Sequence, residues 1–391
     1  MTAVQSAQSA TPAQSAIAAQ PASVTATDGL DASTAGLAAT VAGPTAARHD
    51  SALPQRTGGP DSSAAIASTS DTWWGGDPGA AVAAGSPEAA LFGAMVVDRL
   101  APALGAEISG VDLAAVIDSP GTAAADAVAA IRRLLERHHV LFFPDQHLDL
   151  DHHVALGRAF GPLEAHPHLS NAFLQHPEIF ELAASKGGIA DEWHTDLTFL
   201  ERPSAMSILH MVKAPQAGGD TMWSNLMTAF DELSPPLQEL CEGLSALHDA
   251  DPHGHPEKRA IHPVVRIHPA NGRRALYVNE HFTRRIVELN HGESELLLGY
   301  LTRWVTSPRF TVRYRWREGT VAMWDNRCTQ HFVLNDVVGE RVVQRVTVMG
   351  DEISGPGPRW EPYASRGAAA GRHDRQLRSA LRERQRSTNV S

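Results

Sequence analysis

The sequence predicts an α+β protein, mainly β, in which a barrel or jelly roll is braced on one face by helices. Short apolar runs punctuated by Gly, Pro and Asn recur between about residues 205 and 349, the pattern of a many-stranded β core. Helical periodicity is confined to a few stretches around them. This patterned block spans residues 91–355 and lies between two tails of different composition.

The block opens with Gly105–Leu113, which reads as a short strand and turn. Val128, Ile131, Leu134 and Leu135 then share one face of a helix. His139–Phe143 has the apolar, aromatic character of a buried strand, and Pro144-Asp145 ends it. A second helix is expected over Leu150–Phe160, stopped by Gly161-Pro162. Strands follow at Ala205–Lys213, Asp220–Ser224, Val264–His268, Leu276–Asn279, Thr320–Asp325 and Val342–Met349. Helical stretches interrupt them at about 226–247 and 292–306. There is no internal repeat.

Residues 1–90 are mostly Ala, Ser, Thr, Gly, Pro and Gln, with two arginines (Arg48, Arg56) and two aromatics (Trp73, Trp74). Such a stretch buries too little apolar surface to offset its chain entropy, so a disordered tail is expected. Residues 356–391 carry eight arginines against Glu361, Asp374 and Glu383. Arg372–Arg386 reads there as one polar, solvated helix.

Over the whole chain, Lys+Arg 33 stand against Asp+Glu 44, and the net charge of −11 speaks against a general nucleic-acid partner. No window holds the roughly eighteen consecutive apolar residues that a membrane span needs. Met1–Gln20 lacks the basic and apolar regions of a secretory signal. Cys241 and Cys328 are too few for a disulfide framework, so reduced thiols in a cytoplasmic protein are expected.

The chain has 20 histidines, so position must single out the chemical ones. Within Glu192–Phe199, His194 and Asp196 lie two apart, and in an extended segment both point the same way. Much later, in Met323–His331, an apolar strand ends in a polar turn from which His331 emerges. Two imidazoles and one carboxylate on one side of a metal form the facial triad of non-heme Fe(II), with positions left for cosubstrate, substrate and dioxygen. The same three side chains also suit a catalytic zinc in a hydrolase. Just beyond, Arg341–Met349 alternates, placing Arg341, Val343, Arg345, Thr347 and Met349 on one face. Two arginines on an inward face call for anionic partners, and a guanidinium matches a carboxylate with two parallel hydrogen bonds.

The pieces Trp193–Asp196 with Phe199, Gly218–Trp223, His262–Arg266, Leu276–Asn279 with Phe282 and Thr283, Trp324–Arg327, His331, and Arg341 with Arg345–Thr347 and Gly350-Asp351 occur in a specific order. In this order they resemble the TauD/TfdA family of Fe(II)/2-oxoglutarate-dependent dioxygenases, over roughly residues 95–352. The resemblance implies a double-stranded β-helix, the cupin-like jelly roll, with flanking helices. It implies His194, Asp196 and His331 as the catalytic Fe(II) ligands. It places Thr221 and Arg341 at the distal carboxylate of 2-oxoglutarate and Arg345 near the keto-acid end, within reach of an anionic substrate. Dioxygen is the oxidant, and succinate and CO2 are products.

On the substrate side, His166 matches the sulfonate-binding His of the taurine enzymes. Leu169 stands where those enzymes carry Tyr, and Ala190 where they carry Asn, so the expected pocket is wider and more apolar. It looks more like that of the alkylsulfatase members. The expected substrate is a small-to-medium organic anion, first an alkyl sulfate ester or sulfonate, held by His166 and Arg345. An aryloxy or other carboxylic acid is the alternative, and a non-catalytic binding protein a third reading. A homodimer or tetramer is expected from the resemblance, with neither nucleic acid nor membrane as partner. The cluster His248–His255 reads as a mobile polar loop at the pocket mouth, and Cys328 as a small buried residue facing away from the metal.

Overall fold

The computed structural model describes residues 95–164, 175–187, 190–363 and 372–388. The N-terminal tail with Trp73 and Trp74, and the pocket candidates His166 and Leu169, lie outside the described residues.

β1 (Val96–Arg99) and β2 (Ala106–Ser109) pair antiparallel. Asp112 caps α1 (Leu113–Ile117) by accepting from the Ala114 and Ala115 amides. α2 (Ala123–His138) buries Val128, Ile131, Leu134 and Leu135, the face its periodicity marks. His139 ends it in the left-handed region at φ 63°, and the chain enters β3 (Val140–Phe143), buried throughout. Asp149 caps α3 (Leu150–Phe160) through the His152 amide at 2.8 Å. β4 (Phe180–Ala183), β5 (Ser204–Lys213) and β6 (Thr221–Asn225) follow. α4 (Leu226–Asp231) and α5 (Pro235–Glu242) lead to β7 (Ser245–Ala250), β8 (His255–Pro263), β9 (Val265–Ile267), β10 (Arg274–Leu276) and β11 (Thr283–Ile286). α6 (His291–Val305) opens with a reciprocal capping box between Asn290 and Glu293. β12 (Thr311–Tyr314), β13 (Val321–Asp325), β14 (Thr329–Val333), β15 (Val342–Met349) and α7 (Arg372–Thr388) complete the described chain.

The strands form a seven-stranded sheet, β1-β2-β3-β13-β5-β15-β4, and a three-stranded sheet, β12-β6-β14. The space between them is filled by Phe142, Leu209, Trp324 and Val343 from the first and Trp223, Val312 and Tyr314 from the second. The other face of the large sheet packs Ile108, Leu141, Ile208, Met323 and Val346 against α1, α2 and α3. The result is a mainly β jelly roll with flanking helices. β15 follows the expected alternation: Val343 points between the sheets, Val346 and Val348 toward the helices. β11-β7-β8 and β10-β9 form two smaller sheets beside the roll.

Four expectations change. The helical stretch 226–247 is two short helices, because Pro235 and Pro236 start a new one, and from Ser245 the chain is strand. Leu276–Asn279 pairs only as far as Leu276. His248–His255 is not a loop: His248 and Asp249 are buried in β7, and the short 3-10 turn Asp251–His253 leads into β8. Its polar side chains are tolerated inside because they are paired, His248 Nδ1 with Thr198 Oγ1 at 3.1 Å and Asp249 with Arg284 at 2.7 Å. Finally, α7 is not a solvated helix, since it buries Leu377 and Ala380 against Leu247 and Val287. Among the described residues, no helix is long and apolar enough to cross a membrane.

Phe142 is fully buried, stacked on Tyr314 with ring centroids 3.8 Å apart and edge-on to Trp223 at 5.2 Å. Phe142→Ala is expected to cost about 3–5 kcal/mol. In urea unfolding this reads as a lower midpoint with an unchanged slope.

Candidate active site

His194 and His331 are brought together by the backbone. They form an isolated antiparallel bridge, with the His194 amide donating to the His331 carbonyl at 3.0 Å and the His331 amide to the His194 carbonyl at 2.8 Å. Thr195 Oγ1 adds a bond to the Thr329 carbonyl at 2.8 Å, tying the first segment to the start of β14. The extended stretch expected to carry both His194 and Asp196 ends before Asp196. A turn begins at Asp196, with Leu197 in the left-handed region at φ 60°. The turn still leaves Asp196 beside both imidazoles.

One ligating atom from each of His194, Asp196 and His331 lies within 4.8 Å of the other two, and all three residues are buried. His194 Nδ1 is 2.7 Å from the Glu192 carbonyl; a carbonyl only accepts, so the proton sits on Nδ1. His194 Nε2 is thereby left as a lone pair, 3.8 Å from Asp196 Oδ1. The buried His331 Nδ1 has no hydrogen-bond partner. Burial pushes both imidazoles below the usual histidine range, so both are neutral. Burial would raise the Asp196 carboxyl, but the Arg345 guanidinium first and the Ser207 hydroxyl with it hold it well below the usual carboxylate range. Two neutral nitrogens and one ionised oxygen are the protonation states that a divalent metal needs from its ligands.

Asp196 is held on both oxygens. Ser207 Oγ donates to Oδ2 at 2.7 Å and Arg345 Nη1 to Oδ1 at 2.8 Å. Asn326 Nδ2 steadies Ser207 and Ser204 at 2.9 and 2.8 Å. Trp324 and Trp223 flank the His331 ring at 4.9 and 6.5 Å, an apolar sheath that limits its rotation. Arg345 also lies 5.6 Å from the Phe180 ring centre and keeps a buried, unpartnered Nε.

A cavity of about 450 Å³ opens beside this cluster. His194, Asp196 and Arg345 line it, with Phe180, Leu182, Ala190, Leu197 and Phe282 as an apolar wall and Glu192, His253 and His281 as a polar rim. Ala190 is therefore in the wall, as its sequence position implied. His253 and His281 escaped the sequence reading, the first inside a cluster read as a loop, the second unmarked among so many histidines. Phe282 stood in one of the motifs but had no role assigned to it.

These side chains, on a jelly roll, decide the family. Residues 97–347 match the sequence model described as "Taurine catabolism dioxygenase TauD, TfdA family". The chain belongs to the TauD/TfdA family. It is 36% identical over 279 residues to an alkylsulfatase of Acinetobacter baylyi, a match covering 66% of this chain and 86% of the relative. It is 38% identical over 277 residues to an alpha-ketoglutarate-dependent sulfate ester dioxygenase of Pseudomonas putida, covering 65% and 89%. A taurine dioxygenase structure from Burkholderia xenovorans superposes with a TM-score of 0.60 at 35% identity, covering 73% of this chain and 99% of that one.

In this TauD/TfdA chain the remaining candidates, Thr221 and Arg341, do not line the cavity. Arg341 precedes a bulge in β15 and is 2% exposed; its Nε donates to the Gly219 carbonyl at 3.1 Å. A Cβ on Gly219 would meet Arg341 Cδ at 3.0 Å, and its φ of +66° favours glycine as well. Burial pushes the Arg341 guanidinium down to about 10, and among the described residues no carboxylate offsets it. A buried cation without a counter-ion is costly unless an anion arrives. Thr221 Oγ1, also buried, accepts from Trp316 Nε1 at 2.9 Å, which leaves its own proton free to donate.

A second buried group, His268, Asp325 and Cys328, brings ligating atoms equally close, but it braces rather than binds. Asp325 is held by both Arg327 (2.8 and 2.6 Å) and His268 (3.0 Å). Burial and then the Asp325 charge push the Cys328 thiol well above its usual range. Cys328 is fully buried, with its Sγ 3.5 Å from His139 Nδ1. This brace fixes the turn between β13 and β14, and so the approach to His331. Asp325→Ala strands the Arg327 charge and is expected to cost about 3–5 kcal/mol in chemical unfolding of the metal-free protein.

Proposed function

We propose that this chain is an Fe(II)- and 2-oxoglutarate-dependent dioxygenase of small-to-medium organic anions. Alkyl sulfate esters and sulfonates come first, cleaved to an aldehyde plus sulfate or sulfite, with succinate and CO2 formed alongside. The observation that carries this reading is the convergence of His194, Asp196 and His331 into one donor set, of which His194 and Asp196 line a cavity together with Arg345. The similarity to an alkylsulfatase and a sulfate ester dioxygenase gives the substrate class its support.

His194, Asp196 and His331 would hold the iron. When bound, the iron supplies oxidation by dioxygen coupled to decarboxylation of 2-oxoglutarate. Arg341 and Thr221 would take the far carboxylate of the keto acid, the buried guanidinium gaining the counter-ion it lacks. Arg345 fixes Asp196 with one nitrogen and presents positive charge to the cavity, where it draws the anionic head of a substrate. We assign the second head-group contact to His166. Phe180, Leu182 and Phe282 cover the organic part and exclude water from the reacting carbon. Ala190 adds no bulk, which leaves width for an alkyl chain. A zinc hydrolase would have no use for the uncompensated Arg341.

The test is a panel of alkyl sulfates of increasing chain length, sulfonates and aryloxy acids, assayed with Fe(II), 2-oxoglutarate and oxygen. The expected result is substrate-dependent succinate matched by released sulfate or sulfite; a panel that yields none overturns the reading. His194→Ala and Asp196→Ala are each expected to abolish both iron retention, read by metal analysis, and turnover. Arg341→Ala is expected to remove about 1.5–3 kcal/mol of charge-assisted bonding, raising the KM for 2-oxoglutarate about 10- to 100-fold with little change in the KM for the organic anion.

A further inference from the structure

The family match ends at residue 347, yet α7, Arg372–Thr388, packs on the sheet that carries one wall of the cavity. Leu377 is fully buried there against Leu247 of β7 and Val287 just after β11, with Ile261 of β8 alongside. Arg259 of β8 ties the middle of the helix down, donating to Ser379 Oγ at 2.8 Å and Glu383 Oε1 at 2.7 Å. At its start, Arg372 donates to the Asp251 carboxylate. Asp251 opens the turn Asp251–His253, and the next two residues, Pro252 and His253, line the cavity. His253 Nε2 lies 3.3 Å from His281 Nε2, and His281 Nδ1 lies 2.6 Å from Glu192. An unbroken chain of contacts therefore runs from the C-terminal helix to the cavity rim.

We infer that α7 is a positioning element of the substrate cavity: the Leu377 contact and the Arg372–Asp251 pair fix the turn that carries His253, and with it the width of the wall that receives the organic part of the substrate. The division of labour follows from burial. Leu377 supplies adhesion because it leaves water completely. Arg372 is 58% exposed and Asp251 31%, so their pair adds little adhesion; it sets where the turn sits. The turn's own backbone ties are the Asp251 amide to Asp249 at 3.1 Å and the Gly254 amide to the Asp251 carbonyl at 2.9 Å; beyond these, the His253 ring rests against Phe199, His281 and Phe282, side chains of other loops. Thr221 stands on β6 and Arg341 immediately before β15, neither of them on an element that α7 packs against, so the keto-acid end is insulated from α7.

This inference rests on the proposed function for its substrate, but its geometric part is tested without one. Full-length Arg372→Glu is compared with the charge-reversed pair Asp251→Arg/Arg372→Glu and with Leu377→Asp. Deuterium uptake of residues 249–255 is read in the metal-free protein, and the KM values for the organic anion and for 2-oxoglutarate in the loaded enzyme. Arg372→Glu is expected to raise uptake in 249–255 and to raise the anion KM up to about fivefold, with the 2-oxoglutarate KM within about twofold of the parent. The charge-reversed pair restores both, and Leu377→Asp exceeds Arg372→Glu in both. Unchanged uptake and unchanged anion KM in Arg372→Glu overturn the inference, as does an equal rise of both KM values. If uptake rises and is restored by the pair while no anion in the panel is turned over, the helix keeps its role and the substrate reading falls.

Discussion

The site depends on one backbone contact, the two-bond bridge between His194 and His331. A turn-rich segment that belongs to no strand is thereby fastened to β14 at a single register. A slip of one residue would send either imidazole to the opposite face. Everything nearby reinforces that register. Thr195 binds the Thr329 carbonyl, the Leu197 backbone turns the chain away, and Asp196 is received by Ser207 of β5. The large sheet and the small one contribute one histidine contact and one carboxylate clamp, so the jelly roll must close before the three donors meet.

Charge explains the rest of the arrangement. Inside the roll, an ionised carboxylate and two guanidinium groups are expensive unless each has a partner. Asp196 and Arg345 satisfy one another at 2.8 Å while both face the cavity. Among the described residues, Arg341 is left with only a carbonyl from Gly219. The two arginines thus differ in kind: Arg345 is a counter-charge to Asp196 that also faces the cavity, and Arg341, just before β15, is a buried cation. They stand four positions apart in the chain, with Val342, Val343 and Gln344 between them.

The parts of this design that were legible in the sequence share a cause. Leu150–Phe160 and Val342–Met349 have periodicity strong enough to mark both their type and their ends, and the triad is legible through fixed spacing and its apolar surroundings. β7 was hidden because Ser245, His248 and Asp249 are polar, and only the assembled fold shows Glu288, Thr198 and Arg284 pairing with them. His253 and His281 were hidden by number, since nothing local separates a rim histidine from a surface one. The helix of α7 was legible but its buried face was hidden by its arginines, although Leu377, Ala380 and Leu381 already stood at i, i+3 and i+4, a stripe that has to be buried somewhere. His166 and Leu169 lie outside the described residues.

Chemistry and selectivity are therefore carried by different parts of the chain. The donors and the arginines sit on, or are clamped to, the strands of the jelly roll, where register fixes them closely. Apart from Phe180 and Leu182 of β4, the cavity wall comes from between the strands: Gly187 and Ala190, the turn at Pro252 and His253, and His281 with Phe282. Segments of that kind accept substitution without disturbing the sheet. A charged end that demands an anion, joined to a wall free to vary, accounts for relatives named for different anions sharing one core. It also accounts for a helix beyond the matched region acting on the wall: a wall not held by a ladder of backbone bonds has to be held by something else, and here α7 is the element packed behind it.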